Sequence, residues 1–404
     1  MHTQLRRALI TAALAIGALV TGAVAAHADA GGAREGVATA AFTRFVPVPP
    51  QRLLDTRPGP GQVGYQGPMP GAGAVVEVQV TGRGGVPDDA IAVALNLTGT
   101  APLADGYVTA WPCGAPPPLA SNLNLVRGRT SPNAALVTVG ERGRVCLLTE
   151  RGAHLLVDVA GYLPAGARYQ ATVPHRVLDT RTGVGALAAK PGPHGELRLQ
   201  LGGTVPDSAD AVVLNLTGTD ATADGYVTAW PCGQPRPEAS NLNLVRGGTT
   251  PNLVVVKLGD AADVCLYTQS GAHLVADVNG WFLTESGYTP LQPVRVLDTR
   301  LGLGAPASKP GPGAVVELDL RSWLPDDADA VALNLTGTEA SAPGFVTAWP
   351  CGPMPTTSNL NLVAGATAPN VVIGPVSANQ RLCLFTQSGT HLVADLNGWF
   401  SPGT

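Results

Sequence analysis

One segment recurs three times along this 404-residue chain, and no other feature limits the possible fold as strongly. "RLLDTR" at 52–57 returns as "RVLDTR" at 176–181 and 295–300, so Asp55, Asp179 and Asp298 mark starts 124 and 119 residues apart. "NLTGT" follows from Asn96, Asn215 and Asn334, and "GYVTAWPCG" or "GFVTAWPCG" from Gly106, Gly225 and Gly344. "SNLNLV" comes next, from Ser121, Ser240 and Ser358. Each copy closes on a His-bearing stretch: "AHLLVDVAGYL", "AHLVADVNGWF" or "THLVADLNGWF". A period of this length is the usual size of one independent domain. The expected organisation is therefore three units in a row, at 51–166, 174–284 and 292–401, after a linker at 29–50. "YLPAGARYQATVPH" and "LTESGYTPLQPV" read as loop-like connections, rich in Gly, Pro and polar residues.

Within a unit the apolar period is two, and runs such as "VVEVQV", "GYVTAW" and "RVCLLTE" are short and bounded by turn residues. Gly (50) and Pro (36) are abundant while charged residues make up 13 %, which suits short strands better than helices. The expected fold is all-β: three tandem antiparallel β-sandwich, jelly-roll-like domains of seven or eight strands. The cysteines fall two to a unit, 33, 33 and 32 residues apart, which predicts the bridges Cys113–Cys146, Cys232–Cys265 and Cys351–Cys383. A metal site is the weaker reading because no CxxC pair is present.

Residues 1–28 read as an export signal: Arg6 and Arg7, an apolar run at 8–20 too short to span a bilayer, and "AHA" at 26–28. The twin arginine leaves Sec and twin-arginine export both open. A secreted, or loosely cell-surface-associated, chain without a mature transmembrane segment follows. A net charge of -4 and the lack of a basic stripe argue against nucleic acid.

Asp55 and Arg57, with their counterparts Asp179–Arg181 and Asp298–Arg300, are expected to form structural ion pairs fixing each unit's first strand, approached by Arg52, Arg176 and Arg295. The Arg fork gripping a ligand carboxylate is the alternative. A polar face is suggested by the alternation in "LNLTGT" and "SNLNLV", through Asn96, Thr98, Asn122, Asn124, Asn215, Thr217, Asn241, Asn243, Asn334, Thr336, Asn359 and Asn361. Amides and hydroxyls in such a row suit sugar hydroxyls, with Tyr162, Trp281 and Trp399 as stacking platforms. Trp111, Trp230 and Trp349, each two residues before a Cys, read as core. Asp105 and Asp224 could begin a calcium loop, but Pro343 takes that place in the third unit, so no metal or other cofactor is expected. Ser121, His154 and Asp158, or their equivalents, would have to converge for a hydrolase, and no GxSxG context supports that.

The combination "RVLDTR", "GYVTAWPCG", "SNLNLV" and "HLVADVNGWF" resembles a β-repeat of secreted and cell-surface actinobacterial proteins. That resemblance implies export and modularity and carries over no site. The expected function is a non-enzymatic multivalent binding or adhesion protein for cell-wall or environmental polysaccharide. The alternatives are a structural surface-layer or matrix protein and a secreted hydrolase.

Overall fold

The computed structural model describes residues 44–401; the expected export signal lies outside them. In the first repeat, β1 (Val46–Asp55), β3 (Ala90–Thr100), β6 (Ser131–Thr138) and β8 (His154–Pro164) form one antiparallel sheet in the order β1-β8-β3-β6. A second sheet, in the order β2-β7-β4-β5, comprises β2 (Ala74–Gln79), β4 (Gly106–Pro112), β5 (Leu123–Leu125) and β7 (Arg144–Thr149). Strands β9–β16, over 169–283, and β17–β24, over 288–400, repeat both orders, giving six four-stranded sheets. Val93, Leu95 and Leu97 from the first sheet meet Val108, Ala110 and Leu147 from the second in a core belonging to that repeat alone. Corresponding cores fill the other two repeats.

The other face of the first sheet is also buried. Ala92 and Ala94 of β3, with Ala134 and Leu136 of β6, turn away from their own repeat and enter a cluster shared by all three. Into the same cluster go Ala211 and Val213, Ala330 and Ala332, and residues of β14 (Thr249–Lys257) and β22 (Ala368–Pro375), including Leu253 and Ile373. Aromatic rings fill its middle: Phe282 lies 4.8 Å from Tyr169, 4.7 Å from Tyr288 and 5.7 Å from Phe400, and Phe400 lies 4.5 Å from Phe45. The rings of Phe45 and Phe400 bring the two ends of the described chain together, and Arg44 Nη1 donates to the Ser401 carbonyl at 2.9 Å.

Three tandem β-sandwich domains are therefore not what this sequence forms. Residues 44–401 make one body of six sheets, three of which line a common apolar centre, and no repeat buries its inner sheet without the other two. The expected connections shrink as well. β8 runs to Pro164 and β9 starts at Tyr169, while β16 ends at Leu283 and β17 starts at Tyr288, so only residues 165–168 and 284–287 turn the chain. Residues 46–50, assigned above to a linker, already belong to β1.

The glycine of "AGYL" and "NGWF" follows from this closure. A register shift in the pairing of β3 with β8, repeated between β11 (Ala209–Thr219) and β16 (His273–Leu283) and between β19 (Ala330–Thr338) and β24 (His391–Phe400), marks a bulge beside Gly161, Gly280 and Gly398. A Cβ at these positions would lie 2.1 Å from the Phe45 ring, 2.3 Å from the Tyr169 hydroxyl and 2.6 Å from the Tyr288 hydroxyl. Only glycine lets the aromatic ring of the entering strand cross the bulge toward the centre.

Three disulfides join Cys113–Cys146, Cys232–Cys265 and Cys351–Cys383. Trp111 stands opposite Cys146 across the strand pair and is buried against the bridge, with its Nε1 donating to the Ala115 carbonyl. Such bridges persist where conditions are oxidising, which fits an extracellular chain. Among the described residues no helix is long and apolar enough to cross a membrane.

Candidate functional site: clefts at the junctions between repeats

Neighbouring repeats are joined by a cycle of amides. Asn96 Nδ2 donates to the Ser358 carbonyl at 2.7 Å, Asn334 Nδ2 to the Ser240 carbonyl at 2.6 Å, and Asn215 Nδ2 to the Ser121 carbonyl. The oxygens of the same three side chains accept from Asn370, Asn252 and Asn133 of the preceding repeat in the cycle, at 2.8, 2.8 and 3.2 Å. Each junction thus uses one surface of one repeat against a different surface of the next, and the third returns to the first. A head-to-tail contact that closes on itself in this way leaves no unpaired copy of either surface.

The "LDTR" segments stand beside these seams. Arg52 forms a two-pronged contact with Asp158, Nε to Oδ1 at 2.6 Å and Nη2 to Oδ2 at 3.0 Å, while its Nη1 reaches Asp55 at 3.1 Å. Arg57 forks onto Asp55 from the other side, with Nη2 at 2.6 Å and its backbone N–H at 3.0 Å. Arg176, Asp277, Asp179 and Arg181 repeat the arrangement, as do Arg295, Asp395, Asp298 and Arg300. Arg176 and Arg295 also cross the junction, donating to the carbonyls of Leu119 and Glu238 at 3.2 and 3.0 Å. Burial pushes Asp158, Asp277 and Asp395 above the ordinary carboxylate range against the pull of their arginines. Burial also pushes Asp55 and Asp298 upward, but the forks of Arg57 and Arg300 outweigh it and hold both below that range.

Asp179 is held down to about 2, from 3.8, chiefly by hydrogen bonds from the Arg181 side chain. A carboxylate with a lowered folded-state pKa adds stability that is complete above its unfolded value and is lost as pH falls through the folded one. The contribution of Asp179 is therefore present above about pH 4 and disappears by about pH 2. Thermal melts of Asp179→Asn and the native chain at pH 7, 4 and 2 are expected to show a gap that closes toward pH 2. A gap of constant size would contradict the linkage.

Between the seams lie two matching clefts. One, of about 580 Å³, has Arg295, Arg300, Thr336, Thr338 and Thr367 of the third repeat on one wall and Tyr226, Ser240 and Asn243 of the second on the other. The other, of about 300 Å³, is built from Arg52, Arg57, Thr98, Thr100 and Thr130 of the first repeat against Phe345, Ser358 and Asn361 of the third. These are equivalent positions. Thr338 and Thr367 share a hydroxyl–hydroxyl bond of 2.6 Å, as do Thr100 and Thr130, and Thr219 and Thr249 at the corresponding place in the second repeat. The arginines on the walls are matched by aspartates behind them, so the clefts are polar with little net charge. Two buried wall atoms of the larger cleft, Thr336 Oγ1 and Asn243 Oδ1, find no hydrogen-bond partner in the protein, and neither does Asn361 Oδ1 of the smaller one.

The residues singled out as a sugar-binding face fall in several different environments. Asn96, Asn215 and Asn334 are consumed by the seams. Asn122, Asn241 and Asn359 each accept from a backbone N–H of the adjacent strand at 2.7 Å, from Ala110, Ala229 and Ala348, and so pin "SNLNLV" to its own sheet. Thr98 and Asn361 line one cleft and Thr336 and Asn243 the other; Thr217 is buried as Thr98 and Thr336 are, and Asn124 accepts from the Ser121 hydroxyl. Tyr162, Trp281 and Trp399 are half-buried against their own repeat's core, so they form no open platform. A single exposed Asn face does not exist.

No hydrogen bond links Ser121, His154 and Asp158. His154 Nδ1 lies 3.3 Å from the Thr56 hydroxyl, Thr56 in turn accepts from Leu155 N, and Asp158 is held by Arg52. The expected site omits Asn133, Asn252 and Asn370, although their threefold recurrence after a proline is a visible signal. It also omits Thr100 and Tyr226, and holds Arg57 only in an ion pair or a fork for a ligand carboxylate, because the facing halves of each cleft come from different repeats.

No family model matches the chain, and no curated protein does. Similar solved structures include one described as the atomic structure of Sulfolobus Turreted Icosahedral Virus, with 10 % identity over 89 % of this chain and 92 % of that chain and a TM-score of 0.21. Another concerns the triple jelly roll fold and turret assembly in an archaeal virus, with 9 % identity over 88 % of this chain and 90 % of that one and a TM-score of 0.20. A third is the CBM22-1-CBM22-2 tandem domain of Paenibacillus barcinonensis Xyn10C, with 10 % identity over 55 % of this chain and 98 % of that one and a TM-score of 0.18. Superpositions this loose identify neither the fold nor the ligand.

Proposed function

We propose that the chain is a secreted, non-enzymatic binding protein whose inter-repeat clefts take a neutral, hydroxyl-rich polymer, a polysaccharide of cell walls or of the surroundings. One observation carries this reading. The same charge-balanced cleft of threonine, asparagine and an aromatic wall is built at two equivalent junctions. Hydroxyls and amides that both donate and accept suit sugar hydroxyls, while internally cancelled charges offer little to phosphate or to a polyanion. Repetition favours a repeating ligand, since linked weak sites raise avidity by about 10² to 10⁴ without any new contact.

Closure of the body disfavours the surface-layer alternative. The head-to-tail surfaces are spent within one chain, and one edge of each outer sheet is a strand of only three residues, β5, β13 (Leu242–Leu244) or β21 (Leu360–Leu362), which blunts pairing at that edge. The resemblance to secreted actinobacterial repeats fits export to the same setting.

The test is sedimentation of the chain from residue 29 onward with insoluble peptidoglycan, chitin and cellulose at moderate and high salt. Retention on at least one polymer, insensitive to salt, is expected. Failure to sediment with any of them, or retention abolished by salt, would remove the polysaccharide reading.

A further inference from the structure

The junctions are alike in plan but not in their walls. Beside the larger cleft stands a group that no other repeat possesses: Arg236 lies 3.8 Å over the Tyr267 ring and pairs with Glu196 at 3.0 Å. His194 Nδ1 meets the Tyr267 hydroxyl at 2.8 Å, and Tyr226 packs 5.9 Å from the same ring. The first and third repeats have Leu148 and Phe385 where the second has Tyr267. Tyr226 is thus a braced aromatic wall with a polar edge, whereas Phe345 in the wall of the smaller cleft packs on Phe385, at 5.8 Å, and offers no hydroxyl.

Resting on the binding reading above, we propose that the cleft between the second and third repeats is the principal saccharide subsite. Tyr226 forms its stacking wall, and Thr336 Oγ1 and Asn243 Oδ1 are the groups that select a ligand hydroxyl. Thr336 lines the cleft and is 5 % exposed, and its hydroxyl, buried just behind the cleft surface, has no partner in the protein. A buried hydroxyl left unpaired costs stability, and a ligand hydroxyl placed there removes that cost. The equivalent Thr98 lines a cleft of about half the volume, 300 against 580 Å³. The smaller cleft is accordingly the weaker site, contributing through avidity.

Thr336→Val separates a binding role from a structural one, because it keeps the shape and deletes only the hydroxyl. Its melting temperature should equal or exceed that of the native chain, while affinity for the bound saccharide falls about five- to tenfold. Tyr226→Ala should lower affinity tenfold or more. Thr98→Val and Phe345→Ala should change affinity less than threefold. Calorimetric titration with cellohexaose and chitohexaose, and sedimentation with peptidoglycan, read these effects. Equal losses from both pairs of variants would make the clefts equivalent and overturn the proposal. Unaltered binding in all four would move the site elsewhere and overturn it too, leaving a binding function intact. Absence of binding by the native chain to any of these probes would remove the underlying reading with it.

Discussion

Phe282→Ala is expected to weaken all three repeats together, by roughly 3–5 kcal/mol. The ring is 1 % exposed and lies in the shared centre within 6 Å, centroid to centroid, of Tyr169, Tyr288 and Phe400, so removing it opens a cavity that belongs to no single repeat. Three independent domains would respond differently: the second would lose stability and the others would keep theirs. Hydrogen exchange read repeat by repeat decides between the two. One body predicts that protection of the inner strands β3, β11 (Ala209–Thr219) and β19 (Ala330–Thr338) falls by similar factors, and that urea unfolding followed by tryptophan fluorescence and by circular dichroism gives coincident curves. Loss of protection confined to 169–283 would restore the picture of tandem domains.

The internal organisation of each repeat was legible in the sequence because it depends on local chemistry. Period-two runs between turn residues placed the strands, and constant cysteine spacing placed the bridges. What one repeat does to the next was not legible. "AIAVALNLTGT" is nearly continuous in apolar character, and every residue from Ala92 to Gly99 is buried, the mark of a strand covered on both faces. The alanines on one side are small enough to let three inner sheets approach, and the larger Val93, Leu95 and Leu97 fill the repeat's own core. In three separate units the second face would be solvated, which makes Asn96 and Thr98 an expected open polar surface. A seam and a solvated face ask for the same residue type, since an amide there needs partners whether water or the neighbouring repeat supplies them. The clefts were hidden for the same reason: Thr336 and Tyr226 lie 110 positions apart and become neighbours only when the body closes.

The "LDTR" arginines bear on both stability and binding, and a pair of variants in the third repeat distinguishes the two roles. Asp395 is 1 % exposed and holds Arg295 by two prongs, so Asp395→Ala leaves a guanidinium without its main partner and is expected to cost about 3–5 kcal/mol. Replacing both partners, as Arg295→Met with Asp395→Leu, exchanges two desolvated charges for apolar groups of similar volume. Such exchanges are often neutral in stability or favourable. Asp298 keeps its second arginine, Arg300, in that variant, so the first strand stays anchored. The double variant is thus expected to melt close to the native chain while the single one melts far below it. Arg295 also forms a wall of the larger cleft and spans the junction to the Glu238 carbonyl, contacts that methionine cannot make. A folded double variant with reduced retention on the polymer would show that Arg295 shapes the site independently of stability. Full retention would confine Arg295 to the fold.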